Sequence, residues 1–344
     1  MKKVLMVIVV VLMMATLFAA AQREVETKPI YLASSIRNLA NAYHFALAEG
    51  ARLFARSIGQ EGYFQVLASE GSSEKQLNDI KALVAKSGGN AVFHIDPNEA
   101  IDVIAIAREL TAAKCYFVTN YNKPEDVDVA DYPYWVTHMG VQSEGCGYAT
   151  AKALLSKIGG RGKVFVLRGM LGNNADIERY AGFERALKEF PNVQVIGWES
   201  ADWLKQRAYN IVSNKLISDP DLAAIWSAND DMAAGAIEAL RAKGLNGKVV
   251  VTGADATPEM LDLIKKGDAL MTASADPYWQ AGIGLAMAYA AQTGKLDVAA
   301  LPATKRNWRT PMVMVDASNV DEMLSMTENP PKIDYTDFWG RWSE

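Results

Sequence analysis

The 344-residue chain is too long for one domain of ordinary size and suits two, each with enough apolar material for a core because half the residues are hydrophobic. Its 35 Lys and Arg against 40 Asp and Glu leave a formal charge of −5. That excludes a general nucleic-acid binder, which needs a basic face.

Residues 1–21 stand apart from the rest. Lys2-Lys3 precede an apolar run from Val4 to Ala21, interrupted only by Thr16, and Ala19-Ala20-Ala21 end it with small residues before Gln22. This is the pattern of a secretory signal. A retained anchor is the alternative, because about 18 apolar residues just span a bilayer; the small-residue end favours cleavage. No cysteine lies near the site, so lipid attachment there is not expected. The mature protein is therefore expected in the periplasm or the medium. The two cysteines, Cys115 and Cys146, are too few for a disulfide framework, and whether they pair stays open.

From Lys28 strand and helix patterns alternate almost without interruption. Ile30 to Ala33 reads as a strand, and Leu47, Ala51 and Phe54 mark the buried face of the helix that ends at Gly59. Tyr63 to Ala68, Ala91 to Ile95 and Tyr116 to Thr119 are further strands, with helices from Ser73 to Ala85 and after Pro97. Lys123 to Pro133 is acidic, carries two prolines and reads as a surface loop. Trp135 to Met139 is again a strand. The pattern then restarts near Val141, with strands at Lys163 to Leu167, Val193 to Gly197, Ala223 to Ser227, Val249 to Thr252 and Leu270 to Ser274. Repeated βα units imply parallel sheets covered by helices on both faces. The tail beyond Asn329 holds Tyr335, Phe338, Trp339 and Trp342 and most simply packs on a lobe surface.

One stretch is chemically pointed. Apolar residues from Ala224 run into Asn229-Asp230-Asp231, after which Ala233, Ile237 and Leu240 recur at helical spacing until Gly244. The polar turn thus sits where a strand ends and a helix begins, the usual ligand position in α/β proteins. Gly253-Ala254-Asp255-Ala256-Thr257-Pro258 repeats the arrangement one strand later. Helix capping alone accounts for an isolated Asn-Asp turn; the surrounding pattern argues for more.

Those two turns, with Arg179-Tyr180-Ala181-Gly182-Phe183 and Asp276-Pro277-Tyr278, stand in the order and spacing of the ribose-binding-protein-like family, the type 1 periplasmic solute-binding proteins of ABC sugar importers. The resemblance runs from about Ile30 to Val320. It implies two doubly wound parallel-sheet α/β lobes joined by a three-strand hinge and closing over a sugar. The first lobe would comprise 28–139 plus 276–305 and the second 140–275 plus 306–344, with crossovers near Gly140, Ala275 and Arg306. It also implies a monomer that captures a sugar or polyol and delivers it to a membrane permease, with no cofactor, no metal and no nucleic acid. A nucleoside, a sugar acid or a signalling furanone is the alternative ligand.

Residue by residue, Asn41, Tyr43 and His44 fall where the family opens its first helix with a polar residue and aromatics. Trp203 matches the aromatic that stacks from the second lobe, and an aromatic face suits the C–H groups of a sugar ring. Core packing is the plain alternative for each of these rings. Arg179 matches the sugar-binding arginine, whose planar guanidinium can serve several oxygens together. Asp255 would accept from hydroxyls, and Asn229 would donate and accept. Arg37 and Gln142 are further candidates near the cleft and the second crossover.

Two departures stand out. The family often has Asp-Arg at the end of the fourth strand where this chain has Asn120-Tyr121, and the frequent Gln before Asp-Pro-Tyr is Ala275. An ion pair is lost and spare volume is expected at Ala275, so a neutral ligand other than ribose is anticipated. An enzyme is the rival class. There is no Gly-x-Ser-x-Gly elbow and no phosphate-cradling Gly-x-x-x-x-Gly-Lys. Gly145-Cys146-Gly147 lacks the third glycine of a dinucleotide site, and His44, His94 and His138 show no metal-ligand spacing. Nothing pairs a nucleophile with a base, so no catalytic residue is assigned. Mass spectrometry of exported protein should find Gln22 as the first residue; retention of residues 1–21 would establish the anchor.

Overall fold

The most deeply buried strands form where short runs carry no Asp, Glu, Lys or Arg. Ala91–Ile95 is buried at every position, as is Trp135–Val141. The computed structural model describes residues 28–328 and 332–341, so the segment expected to be a signal lies outside the described residues. From Tyr31 on, strands β1 (Tyr31–Ile36), β2 (Phe64–Ala68), β3 (Ala91–Ile95), β4 (Phe117–Asn120) and β5 (Trp135–Val141) belong to one sheet. Strands β6 (Arg161–Arg168), β7 (Asn192–Ser200), β8 (Leu222–Ser227), β9 (Val250–Thr252) and β10 (Met271–Ser274) belong to a second. Two late strands complete them: β11 (Asn307–Thr310) joins the first and β12 (Val313–Asp316) the second, giving two six-stranded sheets.

The strand orders are β11-β5-β4-β3-β1-β2 and β12-β10-β9-β8-β6-β7, two copies of one doubly wound plan. All pairings are parallel except β10 with β12. The repeat of pattern read from the sequence is therefore a repeat of topology.

The chain changes sheet after β5, after β10 and between β11 and β12. Against the expected boundaries, the pairing places Gly140 inside β5, opposite Arg309 of β11. The third change of sheet follows Thr310 rather than Arg306. Asn307–Thr310 alternates exposed and buried residues, too short a pattern to register as a strand in the sequence. The tail also rests on the first lobe rather than the second. Tyr335 meets Phe54 at 5.2 Å between ring centroids, Trp339 meets Trp308 at 5.9 Å, and Arg341 pairs with Asp276 at 2.7 Å. Both cysteines are buried and free.

Two buried tryptophans anchor the cores, and each finds a partner for its indole N–H, as burial requires. Trp135 donates to Thr119 Oγ1 and the Thr137 carbonyl, and Trp226 donates to Thr150 Oγ1. In the second lobe, helices α4 (Ser143–Lys157) and α5 (Asn174–Leu187) approach until backbones touch. A Cβ at Gly147 would stand 1.9 Å from the Arg179 carbonyl oxygen, and one at Gly182 2.1 Å from that of Glu144. Gly147, which resembled part of a nucleotide loop, is thus a helix-packing residue. Gly182→Val should cost about 3 kcal/mol by overpacking, read by chemical denaturation. Gly145→Ala, on the same helix with open space around it, should leave stability unchanged or raise it by up to ~1 kcal/mol.

Candidate functional site

The turn Asn229-Asp230-Asp231 gives each residue a separate task. Asn229 caps helix α7 (Asp230–Arg241), its side chain accepting from Met232 N at 3.0 Å. Asp230 is fully buried and accepts from Thr257 N at 2.8 Å and Thr272 Oγ1 at 2.6 Å, tying this turn to the next. Burial first, then the nearby Asp255 charge, holds the Asp230 carboxyl well above the usual range. Asp231 reaches across to the first lobe, where Asn41 Nδ2 donates to it at 2.9 Å and Ala42 N at 3.3 Å.

Beside this turn lies a buried ion pair. Arg179 donates to Asp255 Oδ1 at 3.1 Å and to the Ala228 carbonyl, and is only 3% exposed. Burial raises the Asp255 carboxyl against the pull of Arg179. Burial also works against the Arg179 charge, but Asp255, with Tyr121 and Cys146, outweighs it and raises that pKa. Asp255 and Ala256 have φ of 128° and 51°, a left-handed backbone that side chains other than Gly resist. Such strain concentrates where a structure must aim a group. Trp203 is similar, with φ 65°. Its ring lies over Gly169, where any Cβ would stand 2.1 Å from the indole.

The first lobe presents its own strand tips and the start of helix α1 (Ala42–Ser57). Asn41 caps that helix by accepting from His44 N. Tyr43 donates its hydroxyl to Gln280 Oε1 at 2.9 Å, and Asn120 Nδ2 donates to the same oxygen at 2.8 Å. His44 Nε2 lies 3.3 Å from Asp96 Oδ2. Tyr121, with φ 52°, sets its ring edge-on to Tyr43 at 5.5 Å. His94 and His138 are buried elsewhere, and burial lowers their pKa to about 4 and about 3, so both are neutral at pH 7.

Between the lobes lies a cavity with about 370 Å³ of empty space, mouth included. Of the residues anticipated for a site, Asn41, Tyr43, His44, Tyr121, Arg179, Trp203, Asn229 and Asp255 line it together. Asn120, Gln142, Ala275 and Arg37 do not. Asn120 is spent on His94 and Gln280, and Gln142 is exposed beyond the end of β5. Arg37 points to the sulfur of Met170 across the lobes. The cavity does not extend to Ala275, which is buried and whose carbonyl accepts from Gln280 Nε2 at 2.7 Å. Four lining residues escaped the sequence reading: Asp96, Asn122, Asn173 and Ala175. Asp96 and Asn122 follow β3 and β4, and Asn173 caps α5, so strand-tip and capping logic applied throughout would have found those three. His44 Nδ1, Tyr121 Oη and Arg179 Nε, all buried, have no hydrogen-bond partner among the described residues.

Further bonds join the lobes around this cavity. Asn174 N donates to Asn122 Oδ1 and Asn174 Nδ2 to the Lys123 carbonyl, both at 3.1 Å. Arg309 pairs with Glu178 at 2.6 Å. The two lobes are closed on each other.

Two doubly wound lobes closed over an aromatic and polar cavity define the type 1 periplasmic binding architecture. Residues 32–296 match the model of the periplasmic binding protein domain, and the chain belongs to that family. It is 28% identical over 241 residues to the ribose import binding protein of Salmonella typhimurium, covering 70% of this chain and 77% of that one. A Burkholderia phytofirmans structure, described as a twin-arginine translocation pathway signal protein, matches with a TM-score of 0.88 at 39% identity, over 91% of this chain and 97% of that one. An ABC transporter periplasmic solute-binding protein of Actinobacillus succinogenes, solved with bound D-allose, matches with a TM-score of 0.75 at 25% identity, over 86% and 100%.

Asp231 should make closure sensitive to pH. Burial, then the Asp255 charge, pushes its carboxyl up to about 6, against an ordinary value near ~4 when solvated in the open form. A carboxyl raised on closing takes up a proton as the lobes close, so closure gains as pH falls through about 6, and the gain is complete below ~4. By linkage, Asp231 should raise ligand affinity between pH 7.5 and pH 5, by at most about tenfold because the Asp255 charge stays beside it in the open form. Asp231→Asn should lose that component when affinity is titrated across this range; an unchanged slope would refute the coupling.

Proposed function

We propose that this protein is an extracytoplasmic solute-binding protein that captures a neutral polyhydroxylated ligand, a sugar or cyclic polyol, by lobe closure and delivers it to an ABC import permease. The observation that carries this reading is the composition of the interlobe cavity. Trp203 and Tyr43 offer apolar ring faces, while Arg179, Asp255, Asn229 and Asn41 offer donors and acceptors from both lobes. Sugars present that same alternation of C–H faces and hydroxyl edges. The unpartnered nitrogens of His44 and Arg179 and the phenol of Tyr121 add three groups for ligand hydroxyls to satisfy.

The surroundings agree with this role. Arg179 and Asp255 already neutralise each other, so among the described residues lining the cavity no Lys or Arg is left uncompensated to select a sugar acid. Arg37, the other cationic candidate near the cleft, does not line the cavity. Residues 1–21 carry the export pattern, and no helix among the described residues is long and apolar enough to cross a membrane. Ligand contacts made by both lobes favour the closed form over the open one, and that difference drives closure.

A thermal-shift screen of the mature protein against sugars, polyols, nucleosides and sugar acids tests the class, with stabilisation expected from neutral sugars or polyols. Arg179→Ala or Asp255→Ala should then weaken calorimetric affinity tenfold or more, since a hydrogen bond to a charged partner contributes about 1.5–3 kcal/mol. Stabilisation by nucleosides alone, or unchanged affinity in folded variants, would overturn the reading.

A further inference from the structure

The ligand cavity is not the only space between the lobes. On the hinge side lies a second chamber with about 580 Å³ of empty space, mouth included, bordered by Gly140 and Val141 of β5 and Asn307 and Arg309 of β11. Its walls are strongly polar, with Lys123, Glu125, His138 and Glu178 among them. The two spaces have Tyr121 and Ala175 in common: each lines both. Tyr121 comes from the first lobe and Ala175 from the second, so the wall between the chambers is built by both. A hydrogen bond joins the two sides, the backbone N of Asn174, a residue of the hinge chamber, donating to Oδ1 of Asn122, a residue of the ligand cavity.

The Tyr121 ring is firmly placed. Tyr121 N donates to the Met139 carbonyl at 3.3 Å, and Asn122 N folds back on the Asn120 carbonyl at 2.6 Å, fixing the left-handed turn. The ring rests edge-on against Tyr43, whose own hydroxyl is held by Gln280. At 8% exposure it is interior on both sides.

Resting on the sugar-binding reading, we propose that Tyr121 sets the size limit of the ligand: its ring is a partition that confines the site to one sugar unit. The chamber behind it is polar enough to receive a second. A ligand extended toward Tyr121 meets the phenyl ring and a wall bonded from both lobes, whereas a single ring fits in front of it. Removing the ring joins the chambers, and the polar groups of the hinge chamber then face the hydroxyls of a second neutral ring.

The test substitutes Tyr121→Gly and Tyr121→Asn, both compatible with a left-handed backbone, and Tyr121→Phe, which keeps the ring. Calorimetry compares each monosaccharide bound by the wild type with disaccharides containing it in both anomeric linkages. Wild type and Tyr121→Phe should prefer the monosaccharide, and the Gly or Asn variant should raise the disaccharide-to-monosaccharide affinity ratio at least tenfold. Wild type binding disaccharide as tightly as monosaccharide would overturn the partition. So would Gly and Asn variants that still bind the monosaccharide without any gain for the disaccharide. Wild type that binds no sugar or polyol at all would instead remove the functional reading on which the partition rests.

Discussion

The buried pair of Arg179 and Asp255 is the interaction on which the cleft depends. Taking both charges out of water carries a desolvation cost of several kcal/mol per ion, recovered only when geometry and further hydrogen bonds are good. The second lobe supplies both. Gly147 and Gly182 let α4 and α5 touch, which brings the Arg179 backbone close enough for its guanidinium to reach the Ala228 carbonyl and Asp255 together. The strained backbone at Asp255 and Ala256 aims the carboxylate back at Arg179, and Asp230 pins that turn through Thr257 and Thr272. Hydrophobic residues of similar volume would stabilise the lobe as well or better. The pair therefore makes physical sense as a preorganised set of donors and acceptors.

The two lobes meet through a modest number of polar contacts. The starts of α1 and α7 face each other, each capped by an asparagine, and Asp231 bridges them by accepting from the opposite helix end. An acceptor suits that place, since a helix amino terminus offers unpaired N–H groups and a carboxyl can accept there in either protonation state. Asn174 and the Arg309–Glu178 pair close the other side. Exposed ion pairs of this kind contribute little each. Closure held by a few such contacts leaves ligand contacts able to decide the balance between open and closed forms.

The hinge side is more heavily built. Beyond the three strand crossings, the aromatic tail lays Tyr335 over Gly282 and Trp339 beside Trp308, and Arg341 stacks over Trp279 while pairing with Asp276. These partners lie on the helix Pro277–Gln292, at its cap Asp276 and on β11, all packed in the first lobe. The tail covers apolar surface next to two of the crossings, where the chain passes from one sheet to the other.

Much of this architecture was legible in the residues. Parallel strands read as short apolar runs and helices as apolar residues at helical spacing, because both periodicities follow from local backbone geometry. The polar strand tips at Asn229 and Asp255 stood out for the same reason, and most residues matched to the family's motifs line one cavity. What local pattern does not encode is which distant partner a polar group finds. Ala275 looked like open volume, yet the cavity stops short of it and Gln280, from the next helix, bonds to its carbonyl. Asn120 looked free until it bonded to Gln280 and His94. The register of β11, the seat of the tail and the wall between the two chambers likewise arise only when distant segments pack. By itself the sequence determined the elements and the chemical character of their tips, since those depend on neighbours along the chain. Tertiary structure decided which tips share a cavity, because that depends on neighbours in space.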